Sequence, residues 1–183
     1  RALCTLRYCR DGLVWRKLGT DAANELLAAR FPHYLYDSPS RDVRLHGVPM
    51  ERVTCLYRPR QRLAQLLING GGDAMEDKLC RLLALLAAAG ADLECVGITG
   101  SLLIGAQRPD SDFDLVIYDD EAFFQVRQAV VNLLASGRLQ ALGYALWRES
   151  YERRGCALDY ADYMRHEQRK FNKAVFEGTK FDI

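Results

Sequence analysis

Long apolar runs are missing from this 183-residue chain. No stretch reaches the roughly 18 uninterrupted apolar residues of a membrane-spanning helix. The most apolar segment, residues 79–98, is broken by Arg81, Gly90, Asp92 and Glu94, so no membrane partner is expected. An excess of one charge sign is missing too: 25 basic residues face 24 acidic ones, for a net charge of +1. Proteins that grip nucleic acid through many phosphates carry a basic surplus, so any such contact here would be local. The six cysteines (Cys4, Cys9, Cys55, Cys80, Cys95 and Cys156) form no C-x-x-C pair. None stands at zinc-finger spacing from His33, His46 or His166. Cys80 and Cys95 lie among apolar neighbours and read as small core residues, which suits reduced thiols in a cytoplasmic protein. No secretory leader pattern, internal repeat or low-complexity tract is evident. The chain opens on Arg1 and stops just after Lys180-Phe181-Asp182-Ile183, so both ends read as cut from something longer.

With 49% hydrophobic and 27% charged residues, the composition is that of a globular domain with a real core. The length fits one domain, or one domain and a small extension. Gly70-Gly71-Gly72 is the clearest linker and sets an expected boundary between residues 1–72 and 73–183. In the first region, residues 2–18 read as a hairpin turning at Asp11-Gly12. Residues 19–31 read as a helix capped by Thr20 or Asp21. Residues 33–42 read as a loop, residues 44–57 as a strand pair or loop, and a short helix runs from Pro59 to Asn69-Gly70.

The second region is more regular. Asp73 and Glu76 have capping-box spacing. Leu79, Leu82, Leu83 and Leu86 then follow at helical spacing, and Gly90 closes the helix. Strand 93–98, a short helix over 101–107, strand 113–119 and an amphipathic helix over 121–137 come next. Residues 138–155 read as helix or strand, and 159–174 as a helix. Residues 174–183 read as a hairpin with Glu177-Gly178-Thr179 at its tip. The expected class is α+β, a mixed sheet with helices packed on one face and a small N-terminal extension.

The chemistry concentrates in residues 97–120. In a strand, residues i and i+2 share a face, so Asp112 and Asp114 would stand roughly 6.5 Å apart. Two carboxylates so placed repel and raise each other's pKa. A divalent cation relieves that repulsion, and Mg²⁺ typically takes one or two carboxylates together with substrate phosphates. Gly100 and Ser101 follow a strand and open a short helix, where free N–H groups, a close backbone approach and a hydroxyl suit phosphate. Arg108 lies in the intervening loop, as a phosphate contact or a solvated arginine. Asp110 suits an Asx-type bond that orders that loop.

Ile98-Thr99-Gly100-Ser101, ten residues, then Asp112-Phe113-Asp114-Leu115 resembles the signature of the DNA polymerase β-like nucleotidyltransferase superfamily. Gly105 and the segment Asp110-Ser111-Asp112 look like its compact members. The likeness covers about 25 residues tightly and about 110 loosely. It implies a nucleotidyltransferase-type mixed sheet and two Mg²⁺ ions, with Mn²⁺ as a substitute. It also implies transfer of a nucleoside monophosphate from a nucleoside triphosphate to a hydroxyl, with release of pyrophosphate. The expected metal ligands and catalytic groups are Asp112, Asp114 and a third carboxylate. Asp182, between apolar neighbours in a hairpin arm, is preferred over Asp159, whose setting with Asp162 suits a helix start. Gly100, Ser101 and Arg108 are the expected nucleotide contacts.

The acceptor stays open among an RNA 3′ end, a protein hydroxyl and a small molecule. A non-catalytic nucleotide- or RNA-binding module that keeps the fold is the main alternative. A purely structural domain is the third. Arg169, Lys170 and Lys173 are expected on one helical turn, facing a polyanion or solvent. His46 reads as structural rather than catalytic. Tyr34, Tyr36 and Tyr57 are candidates for base stacking, with packing as the plainer use.

Overall fold

A computed structural model describes residues 1–183 and divides them into two compact units, Arg1–Leu56 and Tyr57–Ile183. The α+β class expected from the sequence holds. The division falls sixteen residues before the expected boundary at residue 72. The helix that ends at Asn69 sends Leu63 and Leu66 into the second unit's core, so the glycines lie inside that unit. A Cβ on Gly71 would sit 2.5 Å from the backbone nitrogen of Asp77. The glycine run is thus a tight corner between two helices, not a spacer.

The first unit holds β1 (Ala2–Cys4), β2 (Tyr8–Asp11), β3 (Val14–Lys17), α1 (Thr20–Arg30), β4 (Leu35–Ser38) and β5 (Val43–Val48). β5 is central, with β1 and β4 antiparallel on either side. The β2–β3 register pairs Asp11 with Val14, so the turn is Gly12-Leu13, one residue beyond the expected place. Gly19, not Thr20 or Asp21, caps α1, without a side-chain bond. The expected loop over 33–42 contains β4. His46 is buried, as its structural reading requires. Its Nδ1 accepts from the Leu6 N–H at 2.7 Å. Its Nε2 therefore carries the proton and faces Asn24 Oδ1 at 2.9 Å.

The second unit begins with α2 (Pro59–Asn69) and α3 (Ala74–Ala88). Asp73 caps α3 by accepting from the N–H groups of Met75 and Glu76. Glu76 does not return the bond to Asp73. It accepts from the Gly72 N–H at 2.8 Å and pairs with Arg62 of α2, which locks the corner between the two helices. There follow β6 (Val96–Ile98), α4 (Gly100–Leu103), β7 (Phe113–Ile117), α5 (Asp120–Ala135), α6 (Tyr144–Arg154), α7 (Tyr160–Gln168), β8 (Lys173–Phe176) and β9 (Thr179–Asp182).

The sheet order is β6-β7-β9-β8, with β7 and β9 parallel and the outer pairs antiparallel. The expected helix over 159–174 stops at Gln168, which leaves Arg169 and Lys170 beyond its end and Lys173 in a strand. The final hairpin turns on two residues, Glu177-Gly178, both at positive φ as a two-residue turn of this hand requires. Arg81 and Lys78 of α3 hold that turn through Glu177 and Thr179.

One face of the sheet carries Val96, Ile98, Phe113, Leu115, Ala174 and Phe181, packed under the leucines of α3 and Val126, Val130 and Leu133 of α5. A smaller cluster joins Val175 to Leu142, Trp147 and Tyr163. Phe113 and Phe181 are register partners and both fully buried, so they are the hub of the larger core. Phe181→Ala should destabilise the second unit by about 3–5 kcal/mol, the usual cost of emptying a fully packed aromatic site. Urea unfolding followed by circular dichroism measures it, and a cost below about 1 kcal/mol would mean the core can collapse around the void.

Candidate functional site

Alternation builds the site. Phe113 and Phe181 point into the core, so Asp114 on β7, Asp112 just before it, and Lys180 and Asp182 on β9 point to the opposite face. The parallel register sets Asp114 against Asp182. The antiparallel register on the other side sets Asp182 against Lys173 of β8. A row of acid, acid and base thus crosses three strands, with Asp112 and Lys180 beside it. Asp182 is next to the last residue, yet its strand is interior to the sheet. The Ile183 N–H donates to the Asn172 carbonyl at 2.9 Å, which pins the chain end.

The turn before β7 closes over this row. Thr99 donates to the Asp114 carbonyl through its N–H at 2.8 Å and its hydroxyl at 3.2 Å. Gly100 has φ +63°, and a Cβ there would lie 2.2 Å from Asp114 Oδ2. The carboxylate occupies the volume that any other residue's side chain would need. Ser101 follows within α4, half-buried, with its carbonyl accepting from the Ala106 N–H. The loop 104–112 is ordered by Ser111, whose Oγ accepts from the Arg108 N–H at 2.9 Å. Gln107 donates to Asp73 and Glu76, tying the same loop to the start of α3. Arg108 itself is exposed. Asp110 is exposed as well, and Ser111 rather than Asp110 supplies the bond to that loop's backbone.

The structure brings Asp112, Asp114 and Asp182 onto one face beside Gly100 and Ser101. It does not bring Asp159 there. Asp159 caps α7, accepting from the Asp162 N–H at 2.8 Å, as its alternative reading anticipated. Three cations stand among the carboxylates; Lys173 was expected on a basic helical turn, and the sequence did not flag Lys180 or Arg153. Lys180 Nζ lies 2.9 Å from Asp112 Oδ2. Arg153 of α6 lies 3.8 Å from the same oxygen. Lys173 Nζ lies 2.6 Å from Glu167 Oε2 and 3.6 Å from Asp182 Oδ1. Of the two unflagged cations, Lys180 had a local signal, since it stands two residues before Asp182 and so shares its face. Arg153 comes from a helix whose approach no local pattern encodes.

Burial pushes the Asp182 carboxyl above its ordinary range, and the charge of Asp112 adds to this. Lys173 and Lys180 pull against the rise without cancelling it. Burial also acts to raise Glu167, but its bonds from Lys170 and Lys173 outweigh this and hold it below the usual range.

The donor set is one that a hard divalent cation would accept, since all of it is carboxylate oxygen. Asp182 Oδ1 is buried and takes no hydrogen bond, the mark of an acceptor short of a partner. The side chains are not, however, arranged as a ready-made ligand group of three, and Lys180 engages Asp112. The residues therefore fit a divalent cation by type and by the orphaned oxygen, with one oxygen already engaged by an ammonium.

A carboxylate whose pKa is raised on folding favours the folded state while protonated, and that stability is lost as the pH rises through its folded pKa. Charged Asp182 is thus a cost to the cation-free fold at neutral pH. Asp182→Asn should raise the thermal midpoint at pH 7 by about 2–4 °C for each kcal/mol recovered, and the gain should shrink toward pH 4. Thermal unfolding at both values, without divalent cations, checks it. A less stable variant at pH 7 would show that Lys173 and Lys180 compensate the charge fully.

No protein-family model matches the chain, and no solved structure matches it. An uncharacterized protein of Methanocaldococcus jannaschii is 29% identical over 164 residues, an alignment that covers 88% of this chain and 48% of that protein. The chain thus spans about half the length of the curated relative it matches.

Proposed function

We propose that the second unit is a metal-dependent nucleotidyltransferase of the DNA polymerase β-like kind. It would pass a nucleoside monophosphate from a nucleoside triphosphate to a hydroxyl acceptor and release pyrophosphate. One observation carries the reading: Asp114 and Asp182 on neighbouring strands, with Asp112 just before the first, share a face beside a glycine turn whose missing side chain makes room for Asp114. The Gly100-Ser101 and Asp112-x-Asp114 spacing supports it independently.

Asp112, Asp114 and Asp182 would hold Mg²⁺ or Mn²⁺, one ion or two, and a bound ion would offset the charge that builds on the phosphoryl oxygens. Gly100 and Ser101 would offer backbone N–H groups and a hydroxyl to the phosphates. Arg108 would add a positive charge from the loop. Asp182 would take the proton of the acceptor hydroxyl as its oxygen bonds to the α-phosphorus and the bond to pyrophosphate breaks. The acceptor is an RNA 3′ end, a protein hydroxyl or a small molecule. Six free cysteines suit a reducing cytoplasm.

A second reading, a nucleotide- or RNA-binding module without catalysis, draws on Lys180. Its bond to Asp112 already compensates a carboxylate that catalysis would need for metal.

Calorimetry with Mg²⁺ and ATP tests the site. Wild type should bind only with the metal, and Asp112→Ala/Asp114→Ala should weaken binding by roughly tenfold or more, a loss of at least about 1.4 kcal/mol. Binding that the double substitution leaves intact would remove these residues from the site. Pyrophosphate release, assayed with each of the four nucleoside triphosphates and each acceptor class, then separates enzyme from binding module.

Gly100→Ala gives a structural check on the same geometry. Its Cβ would push on Asp114 and strain a positive-φ backbone, so it should lower stability by about 1 kcal/mol or more. It should also abolish Mg²⁺-dependent ATP binding. A variant that binds and melts like wild type would mean the turn is free to move.

A further inference from the structure

Lys180 is the most unusual charge in the molecule. Its side chain is only 3% exposed, and lysine is almost never fully buried unless paired. Its pair is Asp112, at 2.9 Å. Its position two residues before Asp182 keeps the ammonium on the face of all three carboxylates. Asp112 is 33% exposed. Lys173 cannot play the same part, because Glu167 retains it at 2.6 Å whatever becomes of Asp182. Arg153, at 3.8 Å and half-exposed, is a looser neighbour.

An ammonium and a divalent cation compete for one carboxylate oxygen. We propose that Lys180 is a resident counter-cation, which holds Asp112 in the cation-free protein and must be displaced from it before a divalent ion can bind. The inference rests on the nucleotidyl-transfer reading of this face and adds a rule for how its ligands bind. A displaced Lys180 remains in a nearly closed setting, where an unpaired ammonium is costly. An anionic oxygen from the ligand can satisfy it, and a polyphosphate is the class that offers one beside a divalent ion. The cation alone therefore binds weakly, and cation and polyphosphate each raise the affinity of the other by the same factor. Lys180 thus sets the coupling between the two ligands while contributing no metal ligand of its own.

The experiment measures Mn²⁺ alone, by the electron paramagnetic resonance of the free ion, on wild type, Lys180→Met, Lys180→Gln and Lys180→Arg. Circular dichroism and thermal unfolding identify the folded variants. The neutral glutamine variant serves if the methionine variant does not fold. A neutral residue should tighten Mn²⁺ binding roughly tenfold, and arginine should stay within roughly threefold of wild type, in the range of ordinary coupling energies. Neutral variants that bind Mn²⁺ no tighter than wild type overturn the proposal, including the case in which none binds. If Mg²⁺-ATP binding still depends on Asp112 and Asp114, only this inference falls. If neither Mn²⁺ nor Mg²⁺-ATP is bound at all, the functional reading falls with it.

Discussion

The parallel pairing of β7 with β9 is the constraint on which the rest of the second unit depends. Two short segments, Asp-Phe-Asp-Leu at 112–115 and Lys-Phe-Asp-Ile at 180–183, lie side by side. In register, the two phenylalanines meet in the core and the charged residues meet on the other face. A slip of one residue would drive a carboxylate among the leucines of α3 and expose a phenylalanine. The core therefore enforces the site, since the apolar energy that seats Phe113 and Phe181 also sets Asp114 against Asp182. The helices follow from this pairing. α3 and α5 cover the aromatic face, and α3 also clamps the β8–β9 turn through Arg81 and Lys78.

The charged face raises the opposite problem. Three carboxylates on and just before two neighbouring strands repel, and Asp182 is 27% exposed, too buried for water to screen it well. Lys180 answers Asp112 and Lys173 leans toward Asp182, but neither places a hydrogen bond on Asp182 Oδ1. The compensation is partial, which is why burial still governs that carboxyl's pKa. Glu167 shows what full compensation looks like. It is more deeply buried, yet two lysines bond it directly, and its pKa falls instead of rising.

What could be read from the sequence was what neighbouring residues decide. The leucine spacing of α3, the start of α2 at Pro59 and the strand character of 113–117 are all local patterns, and the structure carries each of them. Asp182 could be preferred over Asp159 for the same reason, since strand alternation and a helix start are both short-range signals. Errors arose where distant packing decides. Gly70-Gly71-Gly72 has the composition of a linker, but the shared burial of Leu66 and Leu79 makes it a corner. Arg169, Lys170 and Lys173 are spaced as one helical turn, but the bridge of Gln140 to Val175 and the ladder to β9 draw residue 173 into the sheet. Arg153 was illegible because a helix's approach to a strand end is a tertiary fact.

The charged face is costly to the fold. Positions 180 and 182 flank a fully buried phenylalanine in an interior strand, where valine or isoleucine would be the stabilising choice. Replacing buried ion pairs with apolar residues of like volume is often neutral or stabilising in proteins. Here an almost closed lysine and a carboxylate short of a hydrogen-bond donor occupy those places instead. Core demands account for Phe181 but not for its neighbours. On the proposed reading, a ligand that brings both positive and negative charge would settle the orphaned oxygen and an ammonium displaced from Asp112 together. A bare cation would satisfy only the first, and a bare anion only the second. Of simple ligands, a divalent ion carried with a polyphosphate would meet both demands.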